Sequence, residues 1–354
     1  MSAILYSARN LPVLQNTTFA TKEEAQATQC GDVLLVADEK TGLIHNAAFE
    51  PEKLIYDVNY NNEQSRSPIY QSHQYAVCEI ASRHFSGKSI VEIGCGKGAF
   101  LDLLKKRGFR IIGIDPAYDG NSPDVIKEYF NPDLGVRGDV IILRHVLEHI
   151  QYPKDFLASV LSSNGGKGLV YIEVPCFEWI CNNHTWFDIF YEHVNYFRMA
   201  DFGRMFGNII ESGHIFGGQY MYVVAELCTL RSANDEVATN APSFSRLDEH
   251  RSILKNLPQR PRAIWGAASK GVIFAKQLLE FGVNVDMAID INPAKQGRFL
   301  PGSGLYVASP QEALESLPAG AHIYVMNSNY LDEVRAMGGG GFHYRITEPE
   351  GVTK

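Results

Sequence analysis

The sequence predicts an α/β fold with two parallel-sheet domains and a small β-rich domain in front of them. From about residue 71 onward, short apolar runs alternate with amphipathic helical segments. A glycine-rich turn follows the apolar run at 90–93, and a second strand, turn and helix pattern begins at residue 262. Because alternating strands and helices are typical of parallel sheets covered by helices, each pattern predicts one such domain.

Composition is that of an ordinary globular protein. The chain has 354 residues, 45% of them hydrophobic and 20% charged, enough for two or three domains. A net charge of −8 does not favour binding to nucleic acid or to an anionic membrane. No apolar run approaches the ~20 residues that span a bilayer, and the N-terminus lacks the pattern of a secretory signal. The six cysteines include no Cys-x-x-Cys, which favours reduced thiols and a cytoplasmic protein.

Changes in pattern divide the chain into three predicted domains. Residues 1–57 contain short β-like runs, and a connector rich in tyrosine and asparagine leads into a domain over 58–243. That domain has a predicted helix at 71–85, another at 155–161, and strands at 90–93, 139–143, 168–174, 208–210 and 220–225. A charged helical segment at 244–256 opens the third domain, 244–354. Its predicted strands are 262–266, 285–290 and 322–327, with a helix at 271–281.

The glycine-rich turn predicts a nucleoside-binding site. Glu92, Gly94, Gly96 and Gly98 form a Glu-x-Gly-x-Gly-x-Gly pattern, and Asp115 ends the next predicted strand. Glycines allow a sharp turn and the close approach of a ligand. An acid at the end of the second strand can accept hydrogen bonds from ribose hydroxyls. The third glycine comes one residue too early for the dinucleotide pattern Gly-x-Gly-x-x-Gly, which argues against a dinucleotide.

This segment resembles motif I of class I S-adenosylmethionine-dependent methyltransferases, and the whole chain resembles the sugar C-methyltransferases of antibiotic deoxysugar pathways. The motifs that carry the resemblance are LPVLQN at 11–16, NAAFEPEKLIYDVNYNNEQSRSP at 46–68, the loop at 92–98, RHVLEHI at 144–150, YEHVNYF at 191–197, FGGQY at 216–220, WGAASKG at 265–271 and INPAKQGRFLPG at 291–302. The resemblance implies a small zinc domain, a methyltransferase domain that binds S-adenosylmethionine, and a C-terminal Rossmann-like domain. It also implies a nucleotide-linked keto-sugar as substrate.

The zinc motif of this family is degenerate here. Where the family has a Cys-x-x-Cys-Gly before the NAAF segment, this chain has Asp38, Glu39, Lys40, Thr41 and Gly42. Cys30 and His45 remain, but a closed structural zinc site needs four ligands. We therefore expect no zinc, with apolar strands holding the small domain together.

C-methylation of a keto-sugar requires a base that removes the proton next to the ketone, and a histidine has a suitable pKa. By resemblance, His193 is that base, Glu192 orients it or contacts the sugar, and Tyr191 donates to the ketone or enolate oxygen. The family commonly has Tyr-x-Glu-His at this point, whereas Phe190 precedes Tyr191 here, so the tyrosine is shifted by one position or changed in role. His149 is expected near the substrate.

The remaining cofactor candidates lie in two segments. His145 follows a predicted strand and is expected to line the cofactor. Its spacing with His149 would also suit a metal on a helix, but without a His-Glu-x-x-His order we expect no metal. Tyr60, Gln64 and Ser67 of the connector either fold over the cofactor or belong to a solvated linker.

The substrate candidates lie in the C-terminal domain. Lys270 in the GAASKG loop can meet a phosphate near the start of a helix. Lys295 and Arg298 are further cationic candidates, and Asn329 follows the last predicted strand. Together they either bind the diphosphate of the substrate or belong to a packing domain.

Three other functions stay open at this point. The first is methyl transfer to oxygen or nitrogen on a different small molecule. The second is a non-catalytic ligand-binding derivative, which the intact glycine motif argues against. The third is a nicotinamide-dependent oxidoreductase, which fits poorly because GAASKG lacks the three-glycine spacing.

Overall fold

The computed structural model describes residues 4–56, 66–231 and 245–346. In chain order, its strands are β1 Ile4–Pro12, β2 Cys30–Ala37, β3 Ile44–Asn46, β4 Ser89–Ile93, β5 Arg110–Ile114, β6 Val125–Ile126, β7 Val140–Arg144, β8 Leu169–Pro175, β9 Asn195–Tyr196, β10 Ile209–Ile215, β11 Tyr220–Glu226, β12 Arg262–Trp265, β13 Met287–Ile289, β14 Val307–Ala308, β15 His322–Val325 and β16 His343–Ile346. Its helices are α1 Lys22–Gln26, α2 Pro68–Phe85, α3 Ala99–Lys106, α4 Pro153–Ser163, α5 Phe177–Asn182, α6 Met199–Met205, α7 Ser245–Ile253, α8 Ser269–Glu280, α9 Pro310–Ser316 and α10 Leu331–Gly338.

The central sheet confirms the predicted α/β class. Its strand order is β10-β11-β8-β7-β4-β5-β6. The strands from β8 to β6 run parallel to one another, and β11 is antiparallel to both β8 and β10. The chain moves outward from β4 on one side to β5 and on the other to β7. Ligands of open α/β sheets bind at the carboxyl ends of the strands where the order reverses, so the fold places a binding crevice beyond β4.

The C-terminal sheet repeats this design on a smaller scale. Its order is β14-β13-β12-β15-β16, and all of its neighbouring strands are parallel. Strand β12 has fully buried apolar residues, because α8 covers one face of the sheet with its own buried side. The reversal of strand order at β12 again opens a crevice, which here lies beyond the GAASKG loop.

The small antiparallel sheet has the order β1-β2-β3-β9. Its last strand comes from the chain segment after β8, since β3 pairs with residues 195 and 196. The small sheet is therefore tied directly to the segment that carries His193. The predicted boundaries at 57–58 and 243–244 fall outside the described residues, and the three-domain division stays a prediction.

Direct side-chain contacts join the C-terminal sheet to the rest of the protein. Asn327 donates to the side chain of Gln219 at 2.8 Å, and Asn329 donates to the carbonyl of Phe216 at 2.9 Å. Arg298 donates to the carbonyl of Thr18 at 2.7 Å. These contacts fix the two parallel sheets around a shared cavity. Among the described helices, none is both long and apolar enough to cross a bilayer.

Candidate active site

The cofactor loop lies at the carboxyl end of β4. Gly94, Gly96 and Gly98 all have left-handed backbone angles, with φ of 78°, 55° and 82°, a conformation that favours glycine. A Cβ at Gly94 would lie 2.3 Å from the side chain of Val146, whereas no described atom lies within 4 Å of a Cβ at Gly96. The loop thus packs tightly on one side and leaves open space on the other, as close approach of a ligand requires.

Asp115 organises this loop from the end of β5. Its carboxylate accepts from the backbone N–H of Gly96 at 2.7 Å and from that of Ala117 at 2.7 Å. Burial raises the pKa of Asp115, and the two backbone donors oppose that effect. Because a carboxylate has about four acceptor sites, Asp115 keeps acceptor capacity for the hydroxyls of a ribose.

A cavity of about 430 Å³ surrounds the loop. Glu92, Gly94, Gly96, Asp115 and His145 line it, and so does His149. These residues fit S-adenosylmethionine, because they combine glycine backbone, ribose acceptors and a buried acid. The predicted Tyr60 and Gln64 lie outside the described residues. Ser67 caps α2 and donates to Glu333 at 2.7 Å, and it lines the neighbouring cavity instead.

Beneath the cofactor cavity lies a buried charge network centred on Glu173. Its carboxylate lies 2.9 Å from Nε2 of His73 and 3.4 Å from the guanidinium of Arg144. It also accepts from the hydroxyl of Tyr171 at 2.8 Å. Burial opposes the charged form, yet Arg144 and His73 hold the pKa of Glu173 well below its usual range. In contrast, burial raises the pKa of Glu92 to about 7.

His145 lies between two carboxylates. It has a left-handed backbone, with φ of 52°. Its Nε2 lies 3.1 Å from Glu173 and its Nδ1 lies 3.4 Å from Glu148. Burial disfavours the imidazolium, but the two carboxylates outweigh burial and raise the pKa of His145 to about 9. His145 therefore carries positive charge at neutral pH, and it lines both this cavity and the next one.

The second cavity lies between the two parallel sheets and has a volume of about 210 Å³. Its walls combine the loop after β7, the 188–193 segment and the GAASKG loop. His145 and His149 line this cavity as well as the cofactor cavity. The two spaces therefore meet at these histidines, where a cofactor methyl group and a substrate carbon can come into contact.

His193 faces the second cavity and is 9% exposed. Its neighbour Val194 fixes it from two sides, because the Val194 carbonyl accepts from Asn46 and its N–H donates to Glu148, both at 2.8 Å. Burial, reinforced by the nearby His149 and His145, holds the pKa of His193 well below its usual range. A neutral imidazole in a substrate cavity is able to accept a proton.

The side chains of the two residues before His193 do not face either cavity. Glu192 is fully buried, and its carboxylate accepts from the backbone N–H of Gln15 at 2.7 Å. Tyr191 accepts from the backbone N–H of Glu50 at 2.8 Å, and its ring packs against Gly31. Neither side chain lines either cavity. Their predicted roles at the substrate lack support from this geometry, since both side chains hold the small sheet in place.

His149 lines both cavities, and its expected place near the substrate stays a prediction. Its Nδ1 lies 2.8 Å from the carbonyl oxygen of Glu192 and 2.9 Å from the hydroxyl of Tyr56. The carbonyl can only accept, so Nδ1 carries the proton and Nε2 is the acceptor atom of the ring. The rings of His149 and His193 meet edge to face, with their centroids 4.9 Å apart.

The predicted substrate residues divide into two pairs. Lys270 and Lys295 line the second cavity. Lys270 forms an ion pair with Asp188 at 2.7 Å, and burial lowers the pKa of Lys295. Arg298 and Asn329 do not line the cavity; they form the domain contacts described above. Sequence position could not separate the pairs, because all four residues follow strands or loops at the same edge of the sheet.

Sequence reasoning assigned no role to two acids, although it placed Glu148 with His145 and His149 at the carboxyl edge of the sheet. Glu148 lines the second cavity and is 1% exposed, and Asp188 balances the charge of Lys270 there. The sequence offered one signal for Glu148, which is its position between His145 and His149. No comparable signal marks Asp188, because its partner is distant in the chain.

Three groups of His, Cys and acidic residues in the described ranges have ligand atoms within 4.8 Å of one another: His73, His145 and Glu173; Glu148, His149 and His193; and Cys176, Glu178 and His214. In the first group, ion pairs account for the spacing. In the degenerate zinc motif, the carboxylate of Asp38 accepts from Thr41 N–H at 2.7 Å and from Lys40 N–H at 3.1 Å. A side-chain acceptor thus closes this turn, and the absence of zinc stays a prediction.

Comparison with known proteins agrees with this geometry. Residues 70–209 match the methyltransferase domain family, and residues 247–338 match the C-methyltransferase C-terminal domain family. The C-methyltransferase NovU of Streptomyces niveus is 23% identical over 316 residues, which cover 75% of this chain and 74% of NovU. A mitochondrial ubiquinone biosynthesis O-methyltransferase of Schizosaccharomyces pombe is 28% identical over 93 residues, covering 22% of this chain and 34% of that protein.

Solved structures similar to part of the chain include a SAM-dependent methyltransferase from Archaeoglobus fulgidus. It is 18% identical, with 46% of this chain and 96% of that chain covered and a TM-score of 0.35. The plantazolicin methyltransferase BpumL in complex with SAH is 14% identical. The similarity covers 47% of this chain and 87% of that chain, with a TM-score of 0.35. The two family matches and the long match to NovU lead to one conclusion: the chain is an S-adenosylmethionine-dependent methyltransferase, and its last third is similar to the C-terminal domain of C-methyltransferases.

Proposed function

We propose that the protein methylates a nucleotide-diphosphate keto-sugar at the carbon next to its ketone. The observation that carries the proposal is the position of His193, a buried neutral imidazole in a cavity that joins the cofactor cavity at His145 and His149. The C-methyltransferase C-terminal domain, which forms the opposite wall, and the similarity to NovU both support a carbon acceptor.

In this proposal, His193 removes the proton next to the ketone, and the electron pair of the broken C–H bond forms an enolate. The low pKa of His193 keeps the imidazole unprotonated and ready to act. When bound, S-adenosylmethionine supplies an electrophilic methyl group. The glycine loop and Asp115 hold that cofactor against the substrate.

The nucleotide end of the substrate is proposed to lie along the GAASKG loop. Lys270 and Lys295 provide two ammonium groups on that side of the cavity. The ion pair of Lys270 with Asp188 fixes the first ammonium in position. The carbonyl of Ala267, which accepts from Lys295 at 3.1 Å, fixes the second. Phosphate groups would thus meet positioned cations, at a distance from the methylated carbon.

The test is product analysis with ¹³C-methyl S-adenosylmethionine and a panel of thymidine, guanosine and cytidine diphosphate 4-keto-sugars. A carbon-bound methyl signal with one nucleotide series supports the proposal. A methyl signal at the chemical shift of a methoxy or N-methyl group shows the oxygen or nitrogen methyltransferase instead. S-adenosylhomocysteine binding without turnover across the panel, and across simple keto-acids and phenols, shows a non-catalytic derivative.

A further inference from the structure

We propose that Glu148, and not the adjacent Glu192, is the carboxylate that positions His193 and stabilises the cation formed when His193 takes a proton. The inference rests on the proposed function, and it names a residue that acts through His193. It is carried by where the two carboxylates point and by the groups that each of them contacts.

Glu148 is a buried carboxylate that faces the substrate cavity. It lies in the turn Leu147–His149 directly after β7, and it is 1% exposed. The described group that faces its carboxylate is the imidazolium of His145, whose Nδ1 is 3.4 Å away and whose Nε2 pairs with Glu173 at 3.1 Å. This long contact leaves most acceptor sites of the buried carboxylate unfilled among the described residues, and a buried acceptor is stabilised by a further donor, so Glu148 has capacity for a second partner.

His193 is positioned to be that partner. The ligand atoms of Glu148, His149 and His193 all lie within 4.8 Å of one another. The backbone fixes this spacing, because the carbonyl of Glu148 accepts from the N–H of Val194 at 2.8 Å. The carboxylate and the imidazole are therefore held within 4.8 Å of each other by a hydrogen-bonded main chain, and we expect a side-chain adjustment to bring them together.

Glu192 cannot serve in the same way without breaking other contacts. One of its oxygens accepts from the backbone of Gln15 at 2.7 Å, and the other lies 3.5 Å from the hydroxyl of Tyr56. Glu192 lines neither cavity. Residues 191 and 192 form a turn, closed by the hydrogen bond from the N–H of His193 to the carbonyl of Phe190 at 3.2 Å, and within this turn the acid next to His193 in sequence is directed away from the cavity.

The chemistry requires such a partner. The C–H bond of the substrate breaks, its proton moves to His193, and the electron pair remains on the substrate as the enolate. The imidazolium then lies in a buried site that already contains the His145 cation, where an unpaired charge is strongly disfavoured. Glu148 remains ionised throughout and balances this charge. After methyl transfer, the proton leaves His193 for solvent.

The experiment measures proton abstraction separately from methyl transfer. A keto-sugar deuterated next to its ketone is incubated with S-adenosylhomocysteine and full-length protein, and loss of deuterium to water is followed by NMR. Glu148→Gln is expected to slow exchange by roughly 100-fold or more, with affinities for S-adenosylhomocysteine and the sugar within about twofold of wild type. Glu148→Asp is expected to restore part of the rate, because it keeps the charge.

Two further variants complete the design. Glu79→Gln, an exposed acid paired with Arg107 at 2.6 Å, is the matched control and is expected to exchange at the wild-type rate. Glu192→Gln is expected to exchange faster than Glu148→Gln. The reverse order overturns the inference, as does Glu148→Gln exchanging at the wild-type rate. Equal loss of ligand affinity and exchange in Glu148→Gln also overturns it, since that result indicates a structural role.

Wild-type exchange that is lost with EDTA and restored by Zn²⁺ or Mn²⁺ also overturns the inference, because the cluster would then hold a metal. A different result would refute the proposed function itself. If the wild type exchanges no deuterium with any keto-sugar but methylates an oxygen or nitrogen, the proposed function is refuted and the inference falls with it. If the wild type exchanges and Glu148→Gln matches it, only the inference is refuted.

Discussion

Replacing Glu173 by glutamine tests whether the buried charge network stabilises the methyltransferase domain. Glu173 is fully buried on β8 and contacts His73 at 2.9 Å, Tyr171 at 2.8 Å and His145 at 3.1 Å. It also faces Arg144 at 3.4 Å, whose guanidinium packs on the ring of Phe100. Glutamine keeps the size of the side chain and removes the negative charge that pairs with Arg144 and His145.

The expected loss in the free energy of unfolding is large, because Arg144 stays charged and buried after the substitution. Breaking a buried ion pair from one side costs about 3–5 kcal/mol. In a domain of this size, 1 kcal/mol corresponds to roughly 2–4 °C, so the transition of the methyltransferase domain should fall by roughly 6–20 °C. Differential scanning calorimetry with and without S-adenosylhomocysteine identifies that transition, because ligand binding raises its midpoint.

The matched control is Glu211→Gln. Glu211 also pairs with an arginine and a histidine, Arg83 and His84, both at 2.5 Å, but its side chain is 24% exposed and that of Arg83 is 51% exposed, and pairs in contact with solvent contribute about 0–1 kcal/mol. A Glu173→Gln midpoint no lower than that of the control would refute the reasoning. Stability at acid pH provides a second measurement. The folded pKa of Glu173 is depressed, so its contribution is present above its unfolded pKa of 4.5 and is lost as pH falls further. Because the pKa of Glu211 is also lowered, to about 2, both proteins should lose stability in acid, and Glu173→Gln should lose less than the wild type.

Three further predictions follow from the site. Asp115→Asn should weaken S-adenosylhomocysteine binding by roughly 10- to 100-fold, because one acceptor of a charged hydrogen-bonding group becomes a donor; calorimetric titration measures this, and unchanged affinity would contradict the role of Asp115. The rate of deuterium exchange should not fall as the pH decreases through 6.5, because burial keeps the pKa of His193 well below that value. A fall in rate at that pH would mean that the base is solvated or is another group. Gly271→Ala should disrupt the C-terminal loop, since its Cβ would lie 1.9 Å from the carbonyl oxygen of Gly266, whereas Gly340→Ala, with open space around its Cβ, is the control. A Gly271→Ala protein with an unchanged melting profile and sugar affinity would show that the loop adapts.

The sequence predicted the elements of the fold well, because each depends on local pattern. The predicted helix at 71–85 is α2 at Pro68–Phe85, and the predicted strand at 90–93 is β4 at Ser89–Ile93. The strands at 208–210 and 220–225 are β10 and β11, and β10 extends to Ile215. Its residues beyond 210 alternate between half-buried and exposed, as expected for an edge strand, and the weak apolar signal of such a strand explains the short prediction.

The cofactor loop could also be predicted from the sequence, because its function depends on the spacing of residues within one stretch of chain. Gly94, Gly96 and Gly98 adopt the left-handed conformation that their pattern predicts, and Asp115 reaches the loop from the next strand, hydrogen-bonding the Gly96 N–H. In contrast, the sequence could not tell which of Glu148 and Glu192 lines the cavity that His193 faces. Both acids lie in recognisable motifs, and their directions depend on contacts with residues far along the chain.

The α/β class and the cofactor loop could be predicted from the sequence, since hydrophobic period, glycine spacing and strand ends are local properties. Which acids and histidines share a cavity depends on tertiary packing. The N–H of Val194 reaches Glu148 across 46 positions of sequence, and Lys270 meets Asp188 across 82. Such pairs form when separate sheets pack together, and their burial then moves the pKa of His145 up and that of His193 down. These opposite shifts come from packing, which no local sequence pattern encodes.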